Sequence, residues 1–201
     1  MGGDATPRRR RRNVEQTRQA IIDATLAALH EGEFNATAKT IAARAQTSER
    51  SVFVHFTSLD DIRFAVTDAQ ASRVEALVTP VDATLPLPQR IDAVVRQSEQ
   101  VYALQRNPRL AGLLQLQSVP AVDARMRVTE NAIREALTET FAPELTRAGG
   151  LDEQLLDLVD ATVGWGNRHY LVERRGLSQA AASEAIRRAL TALLQSPPGG
   201  S

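Results

Sequence analysis

From Val14 to Leu194, apolar side chains recur three and four residues apart, and the pattern breaks where Gly and Pro cluster. That spacing lays an apolar stripe down each of a series of helices, and no segment alternates with the two-residue period of a strand. The 201-residue chain is therefore expected to be all-α, and its 43% apolar content suffices for a real core. Counting the stripes between breaks gives about nine helices.

The breaks divide the chain into 1–12, 13–59, 60–195 and 196–201. Residues 1–12 hold Gly, Pro and five consecutive arginines without apolar periodicity, and read as a disordered basic arm. A first helix starts at Val14, carries Ile21, Ile22, Thr25, Leu26 and Leu29 inward, and ends at Gly32, with Phe34 packed just beyond. Thr37 is placed to cap a short helix over 38–45 with Ile41, Ala42 and Ala45 inward. Thr47 or Ser48 caps another over 49–55, where Val52 and Phe53 face the core. Ser58 with Asp61 forms a capping box that opens a helix of residues 60–78.

Pro80 to Pro88 interrupts the pattern, and the next stripe runs from Ile91 to Tyr102. Asn107-Pro108 is expected to end that helix and open a short one through Leu116; Pro120 opens another that Pro143 stops or kinks. After Gly149-Gly150, one continuous helix over 152–174 is apolar on more than one face, and Gly176 ends it. Ser178 caps a last helix, 178–195, with Ile186, Ala189, Leu190, Leu193 and Leu194 inward. Residues 196–201 form a tail.

Lys+Arg and Asp+Glu balance at 24 each, yet nine basic and five acidic residues lie between Arg8 and Arg50. A neutral chain with a basic end fits a nucleic-acid-reading head on a body with another task. Without cysteine, disulfides and thiolate metal sites are excluded. His30, His55 and His169 are too far apart in sequence for metal-ligand spacing, no nucleophile motif surrounds any serine, and no Gly-rich phosphate loop occurs. An enzyme is thus disfavoured, and no cofactor or metal is expected. No apolar run spans a bilayer and none follows the basic N-terminus, so no membrane association and a cytoplasmic location are the expectation.

Residues 37–56 suit a helix-turn-helix: Ala42 is small where the helices cross, and Ile41, Ala45 and Val52 point inward. The turn requires a left-handed residue, which falls on Gln46. Pattern alone also fits a plain helical hairpin. Residues 18–66 add to it. Arg18, Ile21-Ile22, Gly32, Phe34, Thr37, Ile41-Ala42, Ala45, Ser48, Ser51-Val-Phe-Val-His-Phe, Ser58 and Asp60-Asp-Ile together resemble the N-terminal domain of the TetR family of transcriptional repressors. The chain departs from that family at Gln46 and Arg50, where Gly is usual, and at Phe53 and Leu59, where Tyr and Lys commonly bind phosphate.

The resemblance implies double-stranded DNA with a palindromic operator as the partner. Thr37, Arg44, Thr47, Ser48 and His55 would touch phosphates or position the reading helix; Glu49, Arg50 and Ser51 would reach base edges. Glu49 fits equally well as a plain acid at a helix N-terminus. Arg8, Arg9, Arg10, Arg11 and Arg12 would enter the minor groove, or remain a solvated tail with weak DNA attraction. The resemblance also implies a homodimer through 152–174 and 178–195. It further implies a small, mainly apolar effector held among Tyr102, Gln105, Leu113, Gln117, Met126, Trp165, Asn167 and His169, each of which also fits plain core packing. The expected whole is a dimeric, sequence-specific repressor released by that effector. The alternatives are a nonspecific architectural DNA-binding protein or an activator without effector.

Overall fold

The computed structural model describes residues 5–115, 118–147 and 149–195, with the backbone alone for residues 5–12 and 147. Its described residues are almost entirely helical: α1 (Ala5–His30), α2 (Ala38–Arg44), α3 (Glu49–His55), α4 (Leu59–Glu75), α5 (Leu87–Gln115), α6 (Pro120–Thr140), α7 (Ala142–Leu145), α8 (Glu153–Val163), α9 (Trp165–His169) and α10 (Gln179–Gln195). A π-helical turn, Tyr170–Arg174, follows α9. Two compact units result, Met1–Ser72 with Asn107–Met126, and Arg73–Arg106 with Arg127–Ser201.

In the first unit the α1 stripe Ile21, Ile22, Leu26 and Leu29 packs with Ile41 and Ala42 of α2, Val52 and Phe56 around α3, and Ile62, Ala65 and Val66 of α4. Gly32 adopts φ 88, which closes α1 after His30. The start of α1 differs from the sequence expectation: residues 5–12 continue the helix instead of forming a disordered arm. Arginine is a good helix former, and extending an existing helix costs far less than nucleating one. The side chains of Arg8 to Arg12, like residues 1–4, lie outside the described residues.

Pro108 does not end α5, which runs through it. Helix packing on either side of the proline outweighs its cost of about 3 kcal/mol. The adjacent Asn107 donates from Nδ2 to the His30 carbonyl at 2.8 Å, which ties this stretch of α5 to the end of α1. Gly112 lets Met126 come close, since a Cβ there would lie 3.0 Å from the Met126 sulfur.

The second unit buries Ile91, Val94 and Val95 of α5 against Leu137, Phe141 and Leu145, Leu156, Val159 and Val163 of α8, and Ile186, Leu190 and Leu194 of α10. Arg90, only 4% exposed, holds Glu144 through two bonds of 2.6 Å each and donates to the Leu85 and Thr140 carbonyls. Two departures from the sequence reading occur here. Thr146–Arg147 pairs with Gly150–Leu151 as a two-residue antiparallel hairpin, made possible by Gly150 at φ 113, where no strand was expected.

The second departure concerns residues 152–174, which are not one helix. Gly164 is extended, at ψ 152, and separates α8 from α9. A Cβ at Gly164 would approach the Asp160 carbonyl to 3.1 Å, and Asn167 donates to the Thr162 carbonyl at 2.8 Å, which satisfies a terminal acceptor of α8. The break turns Arg168 fully inward. There it reaches Ser183 at 3.0 Å, and Ser98 and the Val95 carbonyl at 3.4 Å each. Ser183 in turn donates to Glu99 at 2.8 Å, so the buried charge has a carboxylate one hydroxyl away.

Candidate functional site

The reading head is built by caps. Thr37 stands in extended backbone before α2 and accepts the Thr40 N–H at 3.2 Å. After α2, Gln46 is left-handed at φ 53, with its N–H on the Ala43 carbonyl at 3.2 Å and the Thr47 N–H on the Ala42 carbonyl at 2.9 Å. These two bonds form a Schellman motif around a non-glycine residue. Ser48 then accepts the Ser51 N–H at 3.1 Å and starts α3. At the far end of α3, the Arg18 guanidinium lies 4.3 Å over the Phe56 ring and donates to the His55 carbonyl at 3.3 Å. The next helix opens on a reciprocal box: Asp61 accepts from the Ser58 N–H, and Ser58 Oγ accepts from the Asp61 N–H, both at 3.1 Å. The Thr57 hydroxyl, bonded to the same carboxylate, holds the Asp61 carboxyl below its ordinary range.

Val52 alone is buried on α3, while Glu49, Arg50, Phe53 and Val54 face outward. Phe53, expected to face the core, is therefore not a core residue: it is 49% exposed and Val54 74%. On so short a helix one inward position plus Phe56 beyond the end satisfies the core. The outward face combines a cation, an acid and two apolar groups within two turns, a mixture suited to base edges and thymine methyls.

The remaining head residues divide by their partners. Arg44 is committed within the chain, with Nη2 at 2.7 Å from Glu31 and 3.1 Å from Glu33; this pairing lowers the Glu31 carboxyl and raises the Arg44 guanidinium. Arg50 and Lys39 are exposed, and neither makes an ion pair among the described residues. Lys39 escaped the sequence reading because nothing but its place in the first turn of α2 marks it. Thr37 and Ser48 are exposed caps; Thr47, Ser51 and His55 are partly buried.

Of the residues proposed to hold an effector, the fold brings Tyr102, Trp165 and His169 together in the second unit. The Trp165 and His169 rings stack at 4.4 Å between centroids, and Tyr102 lies 6.2 and 6.4 Å from them. The Tyr102 hydroxyl donates to Glu173 at 3.0 Å; burial, then that bond, pushes its pKa up to about 12. Gln105 is buried in the same unit. Asn167 spends its amide on capping α8. Leu113 and Met126 belong to the other unit, and Gln117 lies outside the described residues.

Such a head, two short helices about a left-handed turn with an outward-facing second helix, is a helix-turn-helix. Residues 21–66 match the family model for bacterial regulatory proteins of the tetR family. Solved structures share the fold over 90% of the chain. A transcriptional regulator from Rhodococcus sp. RHA1 is 19% identical at TM-score 0.70, with 96% of its own length covered. The multidrug binding protein EbrR, complexed with imidazole, is 20% identical at TM-score 0.62, also with 96% covered. A TetR transcriptional regulator from Rhodococcus sp. RHA1 is 19% identical at TM-score 0.54, covering 89% of this chain and 96% of that one. None of the curated proteins matches the sequence. The N-terminal domain, residues 21–66, is thus of the tetR regulatory-protein type, and the chain shares its fold with solved transcriptional regulators. No helix among the described residues is long and apolar enough to cross a membrane.

Proposed function

We propose that the protein is a homodimeric, sequence-specific repressor that leaves its operator when a small effector binds the second unit. The observation that carries this reading is the outward face of α3, where Arg50 stands beside Phe53 and Val54 at the end of a capped turn. Arg50 suits the O6 and N7 acceptors of guanine, and the two apolar side chains suit thymine methyls. Lys39 at α2, in place of the paired Arg44, supplies a phosphate contact. The arginines of 8–12 add further phosphate contacts along α1.

Dimerisation is supported by the apolar side chains left outside on the second unit. Leu158 of α8 is 53% exposed and Tyr170 52%, and Ala161 and Ala181 are exposed as well. Two heads in a dimer would read inverted half-sites roughly 34–36 Å apart. Effector release is supported by the aromatic group around Tyr102 and by the structural likeness to EbrR, a multidrug binding protein. The chain passes between its two units within α4, α5 and α6, so a change in one unit has continuous helices through which to reach the other.

The test is competition between promoter DNA from the protein's own genome and random DNA. A preference of about 10³-fold or more supports a specific regulator. Equal binding would assign the chain to nonspecific, architectural DNA binding.

A further inference from the structure

Two buried polar atoms of the second unit have no hydrogen-bond partner among the described residues: Nε1 of Trp165 and Nδ1 of His169. They sit on neighbouring turns of one short helix, on rings stacked 4.4 Å apart and only 13° from parallel. The surrounding polar groups are engaged elsewhere. Tyr102 donates to Glu173, and Glu173 also takes Arg106 at 2.8 Å. Asn167 caps α8, and Arg168 is held by Ser183, with Glu99 behind it. Arg106 is thus paired with Glu173, and Arg168 is linked to Glu99 through the Ser183 hydroxyl.

An indole N–H is a donor only, and buried donors in folded proteins nearly always have an acceptor. A pair of unmatched nitrogens on a rigid aromatic stack is therefore a recognition element that lacks its counterpart. We propose that the Trp165–His169 stack, flanked by Tyr102, binds a planar, uncharged aromatic molecule through a carbonyl oxygen that accepts from Trp165 Nε1–H and from His169 Nδ1–H of the neutral ring. The flat rings supply the apolar contact and the two nitrogens fix the orientation. A carboxylate is the poorer match, because Arg106 is already paired with Glu173 and the buried Arg168 is held by Ser183, Ser98 and the Val95 carbonyl. This assignment rests on the effector reading above and gives that effector its chemical class.

The experiment uses the full-length protein with three probes: coumarin, which is planar, neutral and carries a carbonyl; naphthalene, which lacks the acceptor; and 2-naphthoate, which is charged. Affinity is measured by calorimetry. The single tryptophan of the chain gives one indole N–H resonance that reports the bond directly. Coumarin is expected to bind saturably and move that resonance downfield, and to bind about tenfold tighter than naphthalene or 2-naphthoate. His169→Phe keeps a stacked ring and removes Nδ1; it should weaken coumarin severalfold and leave naphthalene unchanged. Naphthalene or 2-naphthoate binding as tightly as coumarin overturns the proposal. So does coumarin binding that leaves the indole resonance in place, or no coumarin binding at all. DNA binding by the same preparation separates the two readings. Retained DNA binding without coumarin binding sinks this proposal alone, whereas lost DNA preference sinks the regulator reading whatever the probes do.

Discussion

Gln46 is the residue on which the reading head bends, and replacing it tests that geometry. At φ 53 its Cβ crowds the following carbonyl, a penalty of about 1–2 kcal/mol for an L-residue. Glycine removes the penalty but loses about 0.5–1 kcal/mol to its freer unfolded chain. Gln46→Gly should therefore stabilise the protein by about 0.5–1 kcal/mol. Gln46→Ala keeps the Cβ and should be nearly neutral, because the Gln46 side chain is exposed and makes no bond of its own that the fold depends on. The assay is urea unfolding followed by helical circular dichroism, with stabilities compared at equal denaturant slope. A glycine variant no more stable than the alanine variant would show that the turn is not strained, and that the two bonds to Ala43 and Ala42 do not depend on a left-handed residue.

Further outcomes follow from contacts of the same kind. Arg50→Ala should relax one base position of the operator by roughly 1–3 kcal/mol. Lys39→Ala should weaken all sequences alike and flatten the salt slope by about one unit, and Arg44→Ala, whose guanidinium is already paired, should change that slope least; fluorescence anisotropy at several salt concentrations reads all three. For Tyr102, the folded value of about 12 lies above the ordinary 10.0. Its contribution is therefore complete below pH 10 and is lost as pH rises towards 12, a loss that Tyr102→Phe should abolish in unfolding measured against pH. Arg90→Ala strands the half-buried Glu144 and should cost about 3 kcal/mol by thermal unfolding, while Arg90→Met combined with Glu144→Leu should cost much less.

What the sequence disclosed and what it withheld divide along a physical line. Thr37, Ser48, Ser58 with Asp61, Gly32 and Gly176 act within a few residues of themselves, so caps and turns were legible. Even the left-handed Gln46 was, because it is the first residue past the expected end of the helix over 38–45, where a left-handed residue closes a helix. Pro108 was misread because its local effect is overridden by packing along α5. Gly164 was missed for the opposite reason: the run Leu155 to Tyr170 reads as one helix, and the break shows only once Asn167 is seen capping Thr162. Phe53 was placed inward because an aromatic side chain next to Val52 is usually core. Its exposure follows from the short length of α3. Arg168 carried no signal at all, since its burial depends on Ser98 and Ser183, which are 70 and 15 residues away.

The central claim is that two copies of this head read DNA through the outward face of α3. Selecting bound sequences from a random DNA pool tests it most directly. The account predicts a consensus of two inverted half-sites about 10–10.5 base pairs apart or a multiple of that spacing. It also predicts a guanine in each half-site whose selection disappears with Arg50→Ala, and thymines whose replacement by uracil, which lacks only the methyl, weakens binding to the wild type but not to a Phe53→Ser, Val54→Ser variant. A pool that yields no consensus, or a consensus unchanged by all three substitutions, would contradict it.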